Sequence, residues 1–251
     1  MDTNKENSPA CERVMPYNAE EKKNQQVKRM FDAIASKYDG FNRTMSFGID
    51  IIWRKKAIKS LIQDKPQLIL DVATGTGDFA IHSYKILHPE KIIGADISVG
   101  MMEVAAQKVE KLGLKGKIEF TEQDSENLQF EDNAFDAVTV SFGVRNFEHL
   151  AKGLSEINRV IKPNGHLVIL ELSEPDRFPI KQLYNFYTYS IIPILGRLFS
   201  KDREAYLYLP KSITAFPKGE KMIELLKSCG FKTVEHRSFT MGVCHFYKAT
   251  K

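Results

Sequence analysis

The stretch DVATGTGD, residues 71–78, decides how the rest of the chain reads. It follows the apolar run LIL (68–70) and leads into DFAIHSYKILH (78–88), whose apolar spacing predicts a helix. Gly75 and Gly77 therefore sit on a strand-to-helix turn. Glycines at such a turn let free backbone N–H groups close around a ligand at the helix start. Carboxylates flank this one, Asp71 before it and Asp78 after it, so the ligand has to suit glycines and acids together.

Outward from the turn, strand and helix signals alternate. LILDVAT (68–74), IIGADI (92–97), KIEFTEQD (117–124), FDAVTVSF (135–142) and HLVILEL (166–172) read as buried strands. Between them SVGMMEVAAQKVEKLG (98–113) is a helix with Ser98 as N-cap, and HLAKGLSEINRVIK (149–162) is another, closed by PNG at 163–165. Such alternation implies right-handed βαβ units, hence a doubly wound, mostly parallel α/β sheet covered on both faces. A last helix (219–230) and two strand-like runs, FKTVEHRSF (231–239) and GVCHFYKA (242–249), add an antiparallel hairpin, giving a seven-stranded Rossmann-like sheet.

The flanks divide further. Residues 1–22 are polar and read as a flexible arm, with one domain expected over 23–251. Within it, 23–62 form an N-terminal helical cap. Val27, Met30, Ile34 and Tyr38 share a helix face there, and Gly40 ends the pattern. Residues 173–217 form an aromatic, helical insertion.

Composition narrows the function classes. The 251 residues are 43% hydrophobic and 27% charged, with a net charge of +4 spread along the chain, which argues against a nucleic-acid partner. Cys11, Cys229 and Cys244 are far apart and suggest neither a disulfide framework nor a metal site. No secretory signal opens the chain, so a cytoplasmic location is expected. The greasiest run, YSIIPILGRLF (189–199), is interrupted by Pro193 and Arg197 and is too short to span a bilayer, although it can touch one.

Two cofactor classes compete for the turn. A dinucleotide is suggested by Gly75, Gly77 and Ala80 in a GxGxxA pattern, with Asp96 some 20 residues on to hold a ribose. Electrostatics opposes it: unit charges near 4 Å interact by roughly 4 kcal/mol at an effective dielectric of 20, so Asp71 and Asp78 beside a pyrophosphate are unfavourable. S-adenosylmethionine reverses the sign, because it carries an ammonium and a sulfonium and no phosphate. Asp96, after the second strand, can accept both ribose hydroxyls. Asp124, after the third, can accept the adenine amino group, with Ser125 and Ser141 adding hydroxyls. Any one acid after a strand is plainly read as a helix cap. Three in register with a glycine turn favour S-adenosylmethionine.

The longer motifs FDAIASKYDGFNRTMSFGIDIIWR (31–54), LDVATGTGD (70–78), GADIS (94–98), DNAFDAVTVSFGVRN (132–146), RVIKPNG (159–165) and YLYLPKSITAFP (206–217) go beyond that fold-level reading. With them the chain resembles the class I S-adenosylmethionine-dependent methyltransferases and, among these, the ubiquinone/menaquinone biosynthesis C-methyltransferase family. By that resemblance Thr76, Asp96, Asp124, Ser125 and Ser141 occupy cofactor-contacting positions, beside Asp71, Gly75 and Gly77 of the turn. The family's ending and its prolines near LQFEDN (128–133) are matched loosely.

The resemblance implies methyl transfer to a ring carbon of a prenylated quinol, with the menaquinone branch expected and the benzoquinol of ubiquinone biosynthesis left open. A quinol carbon becomes nucleophilic when its neighbouring hydroxyl loses a proton, and a phenol titrates near 10, so the site needs a base or a fixed cation. Arg145, in FGVRN, is the expected cation, and His149 or a water polarised by Arg145 the expected base. Phe31, Tyr38 and Phe41, with Tyr184, Phe186, Tyr187, Tyr189, Ile191 and Ile192, are candidates for a lid over ring and tail. Lys181, Arg197 and Lys201 flank that apolar mouth, which suits transient, peripheral contact with a membrane surface. Self-association into a homodimer is left open. An NAD-dependent oxidoreductase and a non-catalytic pathway adaptor are the rival readings; titration with S-adenosylmethionine against NADH, and product formation, separate them.

Overall fold

The computed structural model describes residues 9–192 and 203–251. Seven strands form one sheet: β1 (Leu68–Val72), β2 (Lys91–Asp96), β3 (Ile118–Glu122), β4 (Phe135–Ser141), β5 (Ile161–Leu172), β6 (Thr233–Phe239) and β7 (Cys244–Thr250), in the order β3-β2-β1-β4-β5-β7-β6. The pairs β3–β2, β2–β1, β1–β4 and β4–β5 are parallel, while β7 runs antiparallel to both β5 and β6. The expected doubly wound α/β sheet with a C-terminal hairpin is what forms. The helices are α1 (Lys23–Ser46), α2 (Ile49–Lys59), α3 (Asp78–Leu87), α4 (Val99–Lys111), α5 (Leu150–Val160), α6 (Ile180–Phe186), α7 (Arg203–Ala215) and α8 (Glu220–Ser228).

The central strands are apolar on consecutive residues because both faces are covered. Val138, Leu167 and Ile169 pack with Leu154 of α5 and Leu226 of α8. Their neighbours Ala137, Val168 and Leu170 pack on the opposite face against Trp53 and Ile58 of α2 and Phe79 of α3. Ser98 caps α4 as expected, accepting from the Met101 N–H at 3.2 Å. The strand order reverses between β1 and β4, so the carboxyl ends of β1, β2 and β4 open on a crevice suited to a ligand.

Two expectations change. α1 does not stop at Gly40 but continues to Ser46, ending where Phe47 and Gly48 turn left-handed at φ 49° and 75°. A glycine inside a helix costs about 1 kcal/mol, which burial of Phe41 with Ile192 and Met45 outweighs. The polar arm is not loose over residues 9–22. Ala10–Arg13 form a 3-10 turn with Cys11 fully buried, and the Tyr17 N–H donates to Gln26 at 2.8 Å. Residues 1–8 of that arm lie outside the described residues. The insertion is helical, as expected: α6 runs on into a π-turn at Tyr187–Ile191, and α7 follows, while Pro193, Arg197 and Lys201 lie outside the described residues. Among the described residues no helix is long and apolar enough to cross a membrane.

Candidate active site

The glycine turn is built from its register. Asp71 of β1 lies beside Thr139 of β4, so the Thr139 hydroxyl donates to it at 2.6 Å, and the Thr74 hydroxyl does the same at 2.6 Å. Burial pushes the Asp71 carboxyl up to about 6, against the two hydroxyls that favour its charge. The turn then doubles back. Gly77 donates to the Thr74 carbonyl at 2.9 Å with φ 75°, and a Cβ there would meet Ala105 at 3.0 Å and Phe120 at 3.1 Å.

A cavity opens over the turn. Of the residues expected at the cofactor, Gly75, Asp96, Asp124, Ser125 and Ser141 line it together. Asp96 is anchored at both oxygens, by the Ser98 N–H and the Gly75 N–H, each at 2.8 Å. Each oxygen keeps a lone pair for a ribose hydroxyl. Burial raises its carboxyl from the ordinary range despite those N–H groups. Asp124 accepts from the Glu126 N–H at 2.9 Å. Two buried polar atoms on this wall, Ser141 Oγ and Asn24 Oδ1, have no partner within the protein. A nucleoside-bearing ligand with hydroxyl and amino donors fits these acceptors.

Asp71, Thr76 and Gly77 are not on that wall. Asp71 holds the turn from beneath, as a bridge between β1 and β4. Thr76 is buried and its hydroxyl donates to Asp39 of α1 at 2.5 Å. Asp78 is also differently placed from the charge argument made on the sequence, since Lys108 and Arg43 pair with it. Burial alone would raise its carboxyl, but those cations outweigh it and hold it low. Its charge is therefore compensated inside the fold, and the choice between cofactors rests on Asp96, Asp124 and the unpartnered oxygens instead.

A second cavity lies against the first and shares Phe31, Tyr38 and Phe142 with it. Its walls come from α1, α2, α6, the π-turn and α7 and are mostly apolar, including Met30, Phe41, Trp53, Tyr184, Ile192 and Leu209. Arg145 lines it and is 4% exposed. Its Nη1 donates to Glu171 at 2.6 Å and to the Phe142 carbonyl at 2.5 Å, while its Nε–H has no partner. Burial works against the charge, but the fully buried Glu171 beside it keeps the guanidinium above its already high range. The Tyr38 hydroxyl on the shared wall is raised by burial and stays protonated. His149 is not brought to either cavity. It opens α5 as the N-cap residue, its ring 63% exposed and its Nδ1 2.8 Å from Glu126, whose other oxygen accepts the His149 N–H at 2.6 Å.

Four further residues of the site escaped the sequence reading. Glu171 is the partner of Arg145; its signal is an acid inside the apolar run HLVILEL, since a charge buried in a sheet requires an opposite one. Asn24 reaches the first cavity from α1. Asp50 and Arg54 reach the second from α2, buried to 4% and 6% exposure.

Comparison with known proteins agrees with this layout. A model of the ubiE/COQ5 methyltransferase family matches residues 19–251. A demethylmenaquinone methyltransferase of Bacteroides fragilis is 55% identical over 240 residues, covering 96% of this chain and 98% of that protein. A ubiquinone/menaquinone biosynthesis C-methyltransferase UbiE of Geotalea daltonii is 40% identical, covering 91% and 97%. Among solved structures, a SAM-dependent methyltransferase of Aquifex aeolicus superposes with a TM-score of 0.55 at 20% identity over 77% of this chain and 88% of its own, a likeness of fold.

Proposed function

The chain belongs to the ubiE/COQ5 methyltransferase family, and from that premise we propose that it methylates a ring carbon of demethylmenaquinol to give menaquinol, with S-adenosylmethionine as methyl donor. The observation that carries the reading is the shared wall of Phe31, Tyr38 and Phe142, which sets a cavity lined by Asp96, Asp124, Glu126 and Glu148 against an apolar one with a buried cation. Asp96 and Asp124 with Ser125 and Ser141 hold the cofactor's nucleoside, and Gly75 lets the backbone approach it. Bound there, S-adenosylmethionine supplies an electrophilic methyl group on a sulfonium.

The chain's own residues do the rest. The quinol ring lies in the apolar cavity with one hydroxyl toward Arg145. That hydroxyl passes its proton to a water beside Arg145, because the guanidinium itself never gives up its charge. The phenolate so formed is stabilised by the Arg145 cation, which Glu171 keeps in place, and its ortho carbon gains the electron density needed for attack. Phe31 and Phe142 hold that carbon toward the first cavity, and exclusion of water by the aromatic walls strengthens the charge interaction. His149 takes no part in this scheme.

The tail leaves through the same apolar cavity. Phe47 and Leu183 line it and are 81% and 62% exposed, and Phe178 just before α6 and Phe186 at its end are 81% and 64% exposed, apolar surface that suits a chain working on a bilayer surface from the cytoplasmic side. The benzoquinol of ubiquinone biosynthesis is the second reading, favoured by the double name of the Geotalea daltonii relative. Mass spectrometry after anaerobic incubation with S-adenosylmethionine and each quinol tests both. A product heavier by one methylene from the naphthoquinol is expected, and no methylated product from either quinol overturns the reading.

A further inference from the structure

Among the described residues, the charged ones on the wall of the apolar cavity are Asp50, Arg54 and Arg145. Asp50 is fully engaged, accepting from the Ser46 hydroxyl at 2.6 Å and pairing with both Arg43 and Arg54. The two arginines are not. Their side chains are 7% and 5% exposed, and each carries an Nε–H without a partner in the protein. Buried donors left unsatisfied are rare in folded proteins and ask for a ligand. Both guanidiniums converge on Phe142, Arg54 lying over its ring at 4.9 Å and Arg145 donating to its carbonyl at 2.5 Å. Phe142 itself belongs to the wall shared with the cofactor cavity.

We propose that Arg54 is a second recognition point for the substrate ring, holding the oxygen opposite the one that faces Arg145, so that the site selects 1,4-dihydroxyarenes over phenols with a single oxygen. The inference rests on the quinol reading above. The chemistry divides the two roles. The carbon to be methylated is ortho to one ring oxygen, which pushes electron density onto it, and that oxygen belongs to Arg145. The other ring oxygen is meta to that carbon and pushes none there. A cation on it therefore acts through orientation, fixing which ring edge faces the methyl donor. A guanidinium suits this task because it keeps its charge when buried and presents several N–H groups in one plane. Arg54 is a specificity residue by this account, and its pairing with Asp50 holds it at the cavity wall.

The test compares two substrates under reducing, oxygen-free conditions: 2-prenyl-1,4-naphthalenediol, and 3-prenyl-1-naphthol, which keeps the activating hydroxyl and lacks the second. With the wild-type protein the diol is expected to exceed the monol in kcat/KM by roughly tenfold or more, the scale of one charge-assisted hydrogen bond. In Arg54→Met the ratio of diol to monol in kcat/KM should fall to about one, with the affinity for S-adenosylmethionine, measured by calorimetry, within about twofold of wild type. Should melting curves show Arg54→Met to be unfolded, the same ratio is read in Arg54→Lys, which keeps a cation for Asp50 and loses the forked donor. A diol preference that survives in the folded variant overturns the inference. So does an intact preference with a weakened affinity for S-adenosylmethionine, which assigns Arg54 to the cofactor's carboxylate. If the wild type methylates neither compound, it is the quinol reading that fails.

Discussion

Arg145 and Glu171 meet at 2.6 Å with side chains 5% and 0% exposed, so neither charge has water to fall back on. Glu171 also accepts the backbone N–H of Arg145 at 3.3 Å and of Leu172 at 2.9 Å, which fixes the carboxylate before the guanidinium arrives. Removing one member of such a pair leaves a buried charge alone and costs about 3–5 kcal/mol. Arg145→Met is therefore expected to be destabilised by about that amount in urea unfolding. Where it is still folded it should lose turnover by roughly a hundredfold or more, with the affinity for S-adenosylmethionine unchanged. Unchanged turnover would remove Arg145 from the chemistry.

The cofactor cavity makes a separate prediction, because Asp96 accepts hydrogen bonds better as a carboxylate than as an acid. Its carboxyl is raised by burial. Protonation of Asp96 competes with binding of a ligand that donates hydroxyls to it. The dissociation constant for S-adenosylmethionine should rise as pH falls from 7.5 toward 5. Asp96→Asn should bind roughly 10–100-fold more weakly at pH 7.5 and flatten the profile. Calorimetry across that pH range checks both, and a flat wild-type profile would count against a role for Asp96.

How much of this was legible in the sequence depends on whether the signal was local. The strands announce themselves because their apolar runs, such as LILDV, are buried on both faces, and Ser98 is visible as a cap because capping is settled within four residues. Gly40 misleads because its penalty is local and small, whereas the packing of Phe41 against Ile192 comes from 151 residues further on (192 − 41). Asp96 and Asp124 could be placed at strand tips, but that Asp71 faces Thr139 rather than a ligand follows from the register of β1 on β4, which no short window contains. Asp50 and Arg54 lie inside FGIDIIWR, within the first motif, yet the placing of Arg54 over the Phe142 ring depends on how α2 docks on the sheet.

The rim of the apolar cavity leads to a prediction about membranes. Phe178, just before α6, and Phe186, its last residue, are 81% and 64% exposed, where water gains nothing from them. Burying a phenylalanine stabilises by about 1.5–3 kcal/mol, so the double variant Phe178→Ser with Phe186→Ser should weaken partitioning into liposomes by tenfold or more. Turnover of a short-chain quinol in detergent-free buffer should stay within about twofold. Flotation assays with neutral and anionic vesicles read the first quantity. No binding of the wild type to either vesicle would exclude the membrane reading.

The N-terminal turn offers a stability test that is independent of substrate. Lys23 is 1% exposed, and its ammonium donates to the carbonyls of Cys11 at 2.7 Å and of Arg145 and Phe147 at 3.1 Å each, tying the 3-10 turn at Ala10–Arg13 to the FGVRN loop. Burial lowers its pKa from 10.5 to about 8, with the nearby Arg145 working in the same direction and Cys11 against it. The folded value lies below the unfolded one, so between pH 8 and 10.5 the unfolded chain binds more protons and stability rises with pH. Other groups titrate in that window, among them Cys11, whose thiol burial pushes up to about 11, so the comparison with a variant isolates the lysine. Relative to Lys23→Met, the wild type should gain about 2 kcal/mol between pH 7 and 10 in urea unfolding. A constant difference across that range would mean that the ammonium is not held in the buried position from which the FGVRN loop takes its support.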